Sequence, residues 1–184
     1  TRIALAAGAR MEWLPLEALC YNGCVAENHL TLVPEPGAEL MGWDITALGL
    51  PSADLPFERG SLLQHIELPG VWLERGRVDA ADALLMDSPV GLAGQRCMAS
   101  LFFVAGAPIA RGRVEAALDA ARAVIDSHEL AATAGATSPN GQVVIVRALA
   151  PLVEPAMDLM KRIRAVWRAH FWQLAPENPR IWAM

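Results

Sequence analysis

The stretch from Gln95 to His128 limits the possible folds more than any other part of the chain. Arg96 to Val104 is almost wholly apolar on both alternating faces, with Phe102 and Phe103 side by side. A strand of that kind is covered on both sides. Ala105-Gly106-Ala107-Pro108 ends it. Val114, Ala117, Leu118, Ala121, Val124 and Ile125 then recur at helical spacing, with His128 on the same stripe. Glu115, Asp119, Arg122 and Asp126 fill the opposite face, so the segment reads as an amphipathic helix. The helix needs a sheet to cover, and the strand needs a cover.

The rest of the chain supplies that sheet mainly from upstream. Arg2 to Glu17 reads as two short strands, the second running into Pro15, since a residue before proline avoids the helical region. Leu19 to Val25 turns near Asn22-Gly23, a favoured hairpin dipeptide. Glu27 to Val33 and Ala38 to Leu48 are strands separated by Pro34-Glu35-Pro36-Gly37, and Gly49 to Gly60 is a loop. Leu62 to Leu68 alternates, Pro69-Gly70 turns, and Val71 to Glu74 and Val78 to Met86 flank Arg75-Gly76, read as a hairpin tip. About nine short strands thus precede the first helix. Their close spacing predicts a meandering or solenoid-like β structure, not alternating βαβ units. Downstream, Gly135 to Gly141 reads as a loop and Gln142 to Ala150 as a β-branched strand. Ala156, Met160, Ile163, Trp167, Phe171 and Leu174 form the stripe of a second helix that opens near two prolines. The expectation is one domain over residues 1–184, mainly β, with two α-helices in its C-terminal half.

Composition narrows the function classes. The hydrophobic fraction is 54% and the charged fraction 19%, against roughly 45–50% with glycine included and about 25% for ordinary domains. Either the core is large or a partner protein buries part of the apolar surface. The longest apolar run, Met98 to Ala110, is shorter than the ~20 residues of a spanning helix. Three cysteines at irregular spacing suit reduced thiols in a cytoplasm. A net charge of −5 argues against nucleic acid. The single lysine, Lys161, stands in Met160-Lys161-Arg162 and not in a P-loop.

No active-site motif stands out. Cys20, Cys24 and His29 lack the second pair of a tetrahedral zinc site, so buried thiols and a surface histidine suit them as well. His65 with Glu67, or His128 with Glu129, is where a hydrolase would find a general base, although surface His–acid pairs look the same in sequence. Lys161, Arg164 and Arg168 form a basic stripe on the second helix. It is either a solvated face or an adaptor surface for an acidic partner or membrane. Trp172 and Trp182, with Trp167 nearby on the helix, are the candidate partner contacts, since tryptophan is enriched in binding hot spots.

An ordered series of segments resembles the urease accessory proteins of the UreD (UreH) family. Ala7-Gly8-Ala9 followed by Glu12-Trp13-Leu14-Pro15-Leu16-Glu17 opens it, and Trp43-Asp44-Ile45, Leu48-Gly49, Val71-Trp72-Leu73 and Asp82-Ala83-Leu84-Leu85 continue it. Gly94 to Phe103, Thr137-Ser138-Pro139 with Val143 to Leu149, Val153-Glu154-Pro155-Ala156-Met157, and Pro179-Arg180-Ile181-Trp182 complete it. Leu50-Pro51 and Leu55-Pro56 stand where many members carry an arginine and a Gly-Glu. The resemblance implies further strands upstream of Thr1, so that this chain corresponds to the C-terminal two-thirds of a longer domain. It implies a twisted, helix-like β-sheet assembly. It also implies a cytoplasmic, non-enzymatic scaffold that binds apo-urease and other accessory proteins, including the nickel-carrying GTPase, with no membrane and no tightly bound cofactor. Nickel would pass through in transit. Glu17, Asp44, Asp79 and Asp82 each adjoin an apolar strand, and they are the candidate carboxylates for such a conduit.

Overall fold

The chain winds back and forth between two stacked sheets. The structure, a computed structural model, describes residues 1–183, the side chains of 181 and 183 apart. Met184, the end of the expected apolar tail, lies outside the described residues. Strands β1 (Arg2–Leu5), β4 (Val25–Pro34), β7 (Ser61–Leu68) and β8 (Trp72–Asp79) form a four-stranded sheet in that order. Strands β2 (Arg10–Trp13), β3 (Ala18–Cys20), β5 (Glu39–Leu50), β6 (Leu55–Pro56), β9 (Cys97–Ala105), β10 (Ala134–Asn140) and β11 (Val143–Ala150) form the other sheet.

Successive turns of the chain stack in parallel. Arg2 pairs with Thr31 and Val25 with Ser61 on one sheet, while Arg10 pairs with Glu39 and Ala18 with Thr46 on the other. Parallel neighbours normally need a helical crossover. Here the crossover is a strand of the opposite sheet, which gives the solenoid-like winding that the strand spacing predicts. The later strands β8, β9, β10 and β11 add on antiparallel.

Helices α2 (Arg111–Asp126) and α3 (Val153–Trp172) cover the outer face of the larger sheet. Their stripes pack as expected: Ala117, Ala121 and Ile125 from α2, and Ala156, Met160, Ile163, Trp167 and Phe171 from α3, are all buried. They meet Met41, Trp43, Leu101, Phe103, Val144 and Val146 in one cluster. Phe103 stacks on Phe171 at 3.6 Å between centroids. Leu174, placed on the α3 stripe by spacing, is beyond the helix end and 43% exposed. No helix among the described residues is long and apolar enough to cross a membrane.

Several local readings differ. Asn22-Gly23 turns the chain from β3 to β4 on opposite sheets and is not a hairpin, and the 49–60 loop holds β6. Arg75-Gly76 is not a hairpin tip: β8 runs unbroken through it, and the turn into β8 falls at Pro69-Gly70-Val71. Residues 83–87 form a short helix, α1 (Ala83–Asp87), which the strand reading of Val78 to Met86 missed. Residues 134–140 are a strand and not a loop. β10 is an edge strand paired only with β11, so it tolerates Pro139 at a register shift.

Candidate functional site

The two sheets face each other across an interior with a layered composition. One end is apolar, with Leu30, Leu32, Ile66, Leu68, Phe102 and Ile145. The other end is apolar too, with Leu48, Leu62, Val78, Met86 and Leu92. The registers place a polar rung between them. Asn28 is level with Gln64 and Gln64 with Gly76 on the smaller sheet, while Asp44 is level with Ser100 and Ser100 with Arg147 on the larger one. Each of these side chains interrupts an inward apolar alternation, such as Ala26, Asn28, Leu30 or Leu62, Gln64, Ile66.

Asp44 is the centre of this stratum. Its Oδ2 accepts from Asn28 Nδ2 at 2.5 Å, and its Oδ1 accepts from Gln64 Nε2 at 2.8 Å and from Thr46 Oγ1 at 3.1 Å. At one end of the rung Arg147 donates to both oxygens of Glu74, at 2.6 and 3.2 Å, tying the sheets together. Burial pushes the Asp44 carboxyl above its ordinary 3.8, the donated hydrogen bonds from Asn28, Thr46 and Gln64 pull it back, and the Glu74 charge adds a small push upward. The ionised form is therefore costlier in the folded chain than in the unfolded one. Its contribution is most favourable below about 3.9 and is lost as pH rises through the raised folded value. Relative to Asp44→Ala, the parent is expected to gain stability as pH falls from about 7 to about 4, read from urea midpoints.

The four candidate acids do not converge. Glu17 lies on the wall of a separate cavity of about 640 Å³, beside Glu154, Asp158, Lys161, Cys97 and Trp182. Asp79 caps a turn through the Ala81 N–H at 2.9 Å, and Asp82 caps α1 through the Leu85 N–H at 3.0 Å. Both of those are exposed. Asp82→Ala is expected to cost about 1 kcal/mol, the loss of a helix N-cap, and to leave metal handling untouched. Among the described residues no three His, Cys, Asp or Glu side chains converge as a metal cluster.

All three thiols are free. Burial pushes Cys20 up to about 11, with Cys24 and Asp44 nearby adding to it. Burial pushes Cys97 to about 12, helped by Glu154 and Glu17. Neither is a thiolate at neutral pH, so neither is poised to ligate or attack.

The two candidate bases, His65 and His128, stand apart on different elements. His128 is buried, with Nδ1 accepting the Leu130 N–H at 3.1 Å and Nε2 facing Asp158 at 3.2 Å, so its acid partner is Asp158 and not Glu129. His65 is on the uncovered outer face of the smaller sheet, and neither histidine lines the 640 Å³ cavity.

The basic stripe on α3 turns inward. Arg164 is 1% exposed. Its Nε and Nη2 donate to the two oxygens of Glu12 at 2.8 and 3.0 Å, and Arg168 joins the same carboxylate. Arg164 and Arg168 are therefore not part of a solvated or membrane-facing surface, while Lys161 stays half-exposed at the cavity wall. The tryptophan readings change likewise. Trp167 and Trp172 are 0% and 4% exposed, bonded to the Ala117 carbonyl and to Glu39. They pack inside this chain and present no surface to a partner. Trp182 stacks on Trp43 at 5.0 Å, with Lys161 and Arg164 over its ring, at the rim of the cavity.

The described residues form a coiled β-sandwich with helices on one face and a charged stratum between its sheets. The family model described as UreD urease accessory protein matches residues 1–183. Proteins named urease accessory protein UreD from a Polaromonas species and from Variovorax paradoxus are 66% and 64% identical over the whole chain. One of the same name from Leptothrix cholodnii is 53% identical over 98% of it. The chain belongs to the UreD urease accessory protein family. It spans about two thirds of the length of these relatives, at 67%, 66% and 65% of each.

Proposed function

We propose that the chain is part of a non-enzymatic scaffold for urease maturation that acts in the cytoplasm. It binds apo-urease and the other accessory proteins, among them the nickel-carrying GTPase, and its interior supports delivery of nickel to the urease active site. The observation that carries the nickel part is the polar rung around Asp44. A charged carboxylate in the middle of a two-sheet interior is costly to bury, and apolar residues would fill that space more stably. Nickel accepts carboxylate, imidazole and water, and a path must release what it binds. One carboxylate held by two amides and a hydroxyl, with a second at Glu74, suits transient passage better than a closed thiolate cage. Nickel is cargo in this account, and no resident cofactor is assigned.

Glu17 is a second candidate acid, because it faces the cavity that Trp182 rims. Asp79 and Asp82 have ordinary capping duties that account for their positions. Trp182, half-buried at the cavity rim, is retained as the candidate tryptophan for a partner contact. The test is co-purification of urease and the accessory proteins with the full-length protein, parent and Trp182→Ala. The scaffold reading expects a stable assembly that Trp182→Ala weakens while the fold is kept. Absence of urease and accessory proteins from the parent preparation contradicts it.

A further inference from the structure

We propose that the open edge of β8 receives an extended segment of a partner protein, with acidic residues at alternate positions, as a fifth strand of the smaller sheet. The proposal goes beyond the maturation reading and does not depend on it. β8 is the last strand of that sheet and pairs only with β7. In an antiparallel ladder, residues alternate between facing the partner strand with both backbone groups and facing away with both. The Ala80 N–H donates to the Gly60 carbonyl at 3.0 Å, which sets the phase: Trp72, Glu74, Gly76 and Val78 bond to β7. Leu73, Arg75 and Arg77 therefore turn their N–H and C=O groups to the edge. Asn140 Nδ2 closes one end of that edge on the Val71 carbonyl at 2.9 Å, and the Asp82 N–H closes the other on the Asp79 carbonyl at 3.1 Å. Between them, the edge groups of Leu73, Arg75 and Arg77 have no partner among the described residues.

The larger sheet extends one strand further on this side. Arg147 of β11 reaches Glu74, so β11 lies under β8, and β10 is paired beyond β11. Gly135 is level with Arg147 and Thr137 with Ile145, so both positions of β10 face the side on which the smaller sheet stacks. Both are exposed, and only its chain neighbours lie within 4 Å of the place a Cβ on Gly135 would take. The alternate residues, Ala134 and Ala136, pack on the helix side. A strand added to β8, at the ordinary ~4.8 Å between strands and ~10 Å between sheets, lies over β10 and covers Gly135 and Thr137.

Charge selects the occupant. Trp72 and Val78 point inward, so Leu73, Arg75 and Arg77 carry their side chains on the uncovered outer face, and all three are exposed. Arg77 Nη1 donates to Ser61 Oγ at 3.1 Å, and neither arginine is in an ion pair among the described residues. The acids nearest in register are engaged: Glu67 by His65 and Thr31, and Asp79 by the Ala81 N–H. Arginines on an open edge deter apolar and basic strands. A segment with carboxylates at i and i+2 sets one opposite each arginine, and its intervening apolar side chains point into the recess over Gly135 and Thr137. A second copy of this chain fits worse, because the antiparallel registers with the fullest overlap of β8 on itself set arginine opposite arginine.

The experiment adds acetyl-Val-Glu-Val-Glu-Val-amide to the full-length protein and follows amide hydrogen exchange along β8. Without peptide, the Leu73, Arg75 and Arg77 amides should exchange fast while those of Glu74, Gly76 and Val78 are protected. Peptide at about 1 mM, the weak end of specific binding, should slow the three edge amides. The lysine analogue acetyl-Val-Lys-Val-Lys-Val-amide should not, and neither should the acidic peptide methylated on the two glutamate backbone nitrogens, which would face β8. Arg75→Glu with Arg77→Glu should weaken the acidic peptide by about tenfold and admit the lysine analogue. Both sites are exposed, so the unfolding midpoint should stay at the parent value. Edge amides already protected in the protein alone, a dimer formed through β8, an equal effect of the lysine or methylated peptide, or no slowing by the acidic one overturns the proposal.

Discussion

Glu12→Ala is expected to destabilise the chain by about 3–5 kcal/mol, the cost of stranding a buried charge. The Arg164 side chain is 2% exposed, and its bidentate partner is Glu12. The same carboxylate holds Arg168. It reaches from β2, at the edge of the larger sheet, to the middle of α3, so it locks the helix layer to the first turn of the coil. Removing it leaves a guanidinium in the interior under the Trp182 ring, with no counter-charge in place. Changing Glu12 and Arg164 together to leucine and methionine should recover much of the loss, because apolar residues of similar volume do not need the pair. Urea unfolding of both variants checks this. A single-variant cost below about 1 kcal/mol, the scale of an exposed ion pair, would contradict the buried-lock account.

Trp167→Ala is expected to cost about 3–5 kcal/mol, the range for emptying a large aromatic site in a packed core. The ring has no exposed surface, its Nε1 donates to the Ala117 carbonyl of α2 at 2.9 Å, and Phe171 packs edge-on to it at 6.0 Å. The side chain joins α2 to α3 over the sheet, so its loss should lower the unfolding midpoint. Trp167→Phe should recover most of the packing. A partner contact at Trp167 predicts the reverse: an unchanged midpoint with weakened assembly.

The winding was legible in the sequence because strands of alternating or wholly apolar residues recur at short intervals between Pro and Gly breaks. The helix stripes were legible because spacing alone sets the buried face. Gly76 misled because glycine beside arginine resembles a turn, whereas here it lies inside β8 level with Gln64, where no side chain fills the polar rung. Residues 83–87 are too few for helical periodicity, and the Asp82 cap was the available signal. Asp44 stands out in the sequence because it adjoins an apolar strand and not a charged loop. Its companions Asn28, Gln64 and Arg147 do not, because they belong to three other strands and only register aligns them; Glu74, level with Ile66, joins them through Arg147. The α3 arginines looked like a surface stripe because nothing local in the sequence points to Glu12, more than 150 residues away.

The most direct test of the central claim is the nickel content of urease purified from a strain whose accessory protein carries Asp44→Ala. The account predicts that urease and the accessory proteins still co-purify while nickel per active site and urease activity fall several-fold. Asp82→Ala, which removes only a helix cap, should leave both unchanged. Full nickel occupancy and full activity with Asp44→Ala, alone and combined with Glu17→Ala, would contradict the assignment of the polar rung to nickel delivery.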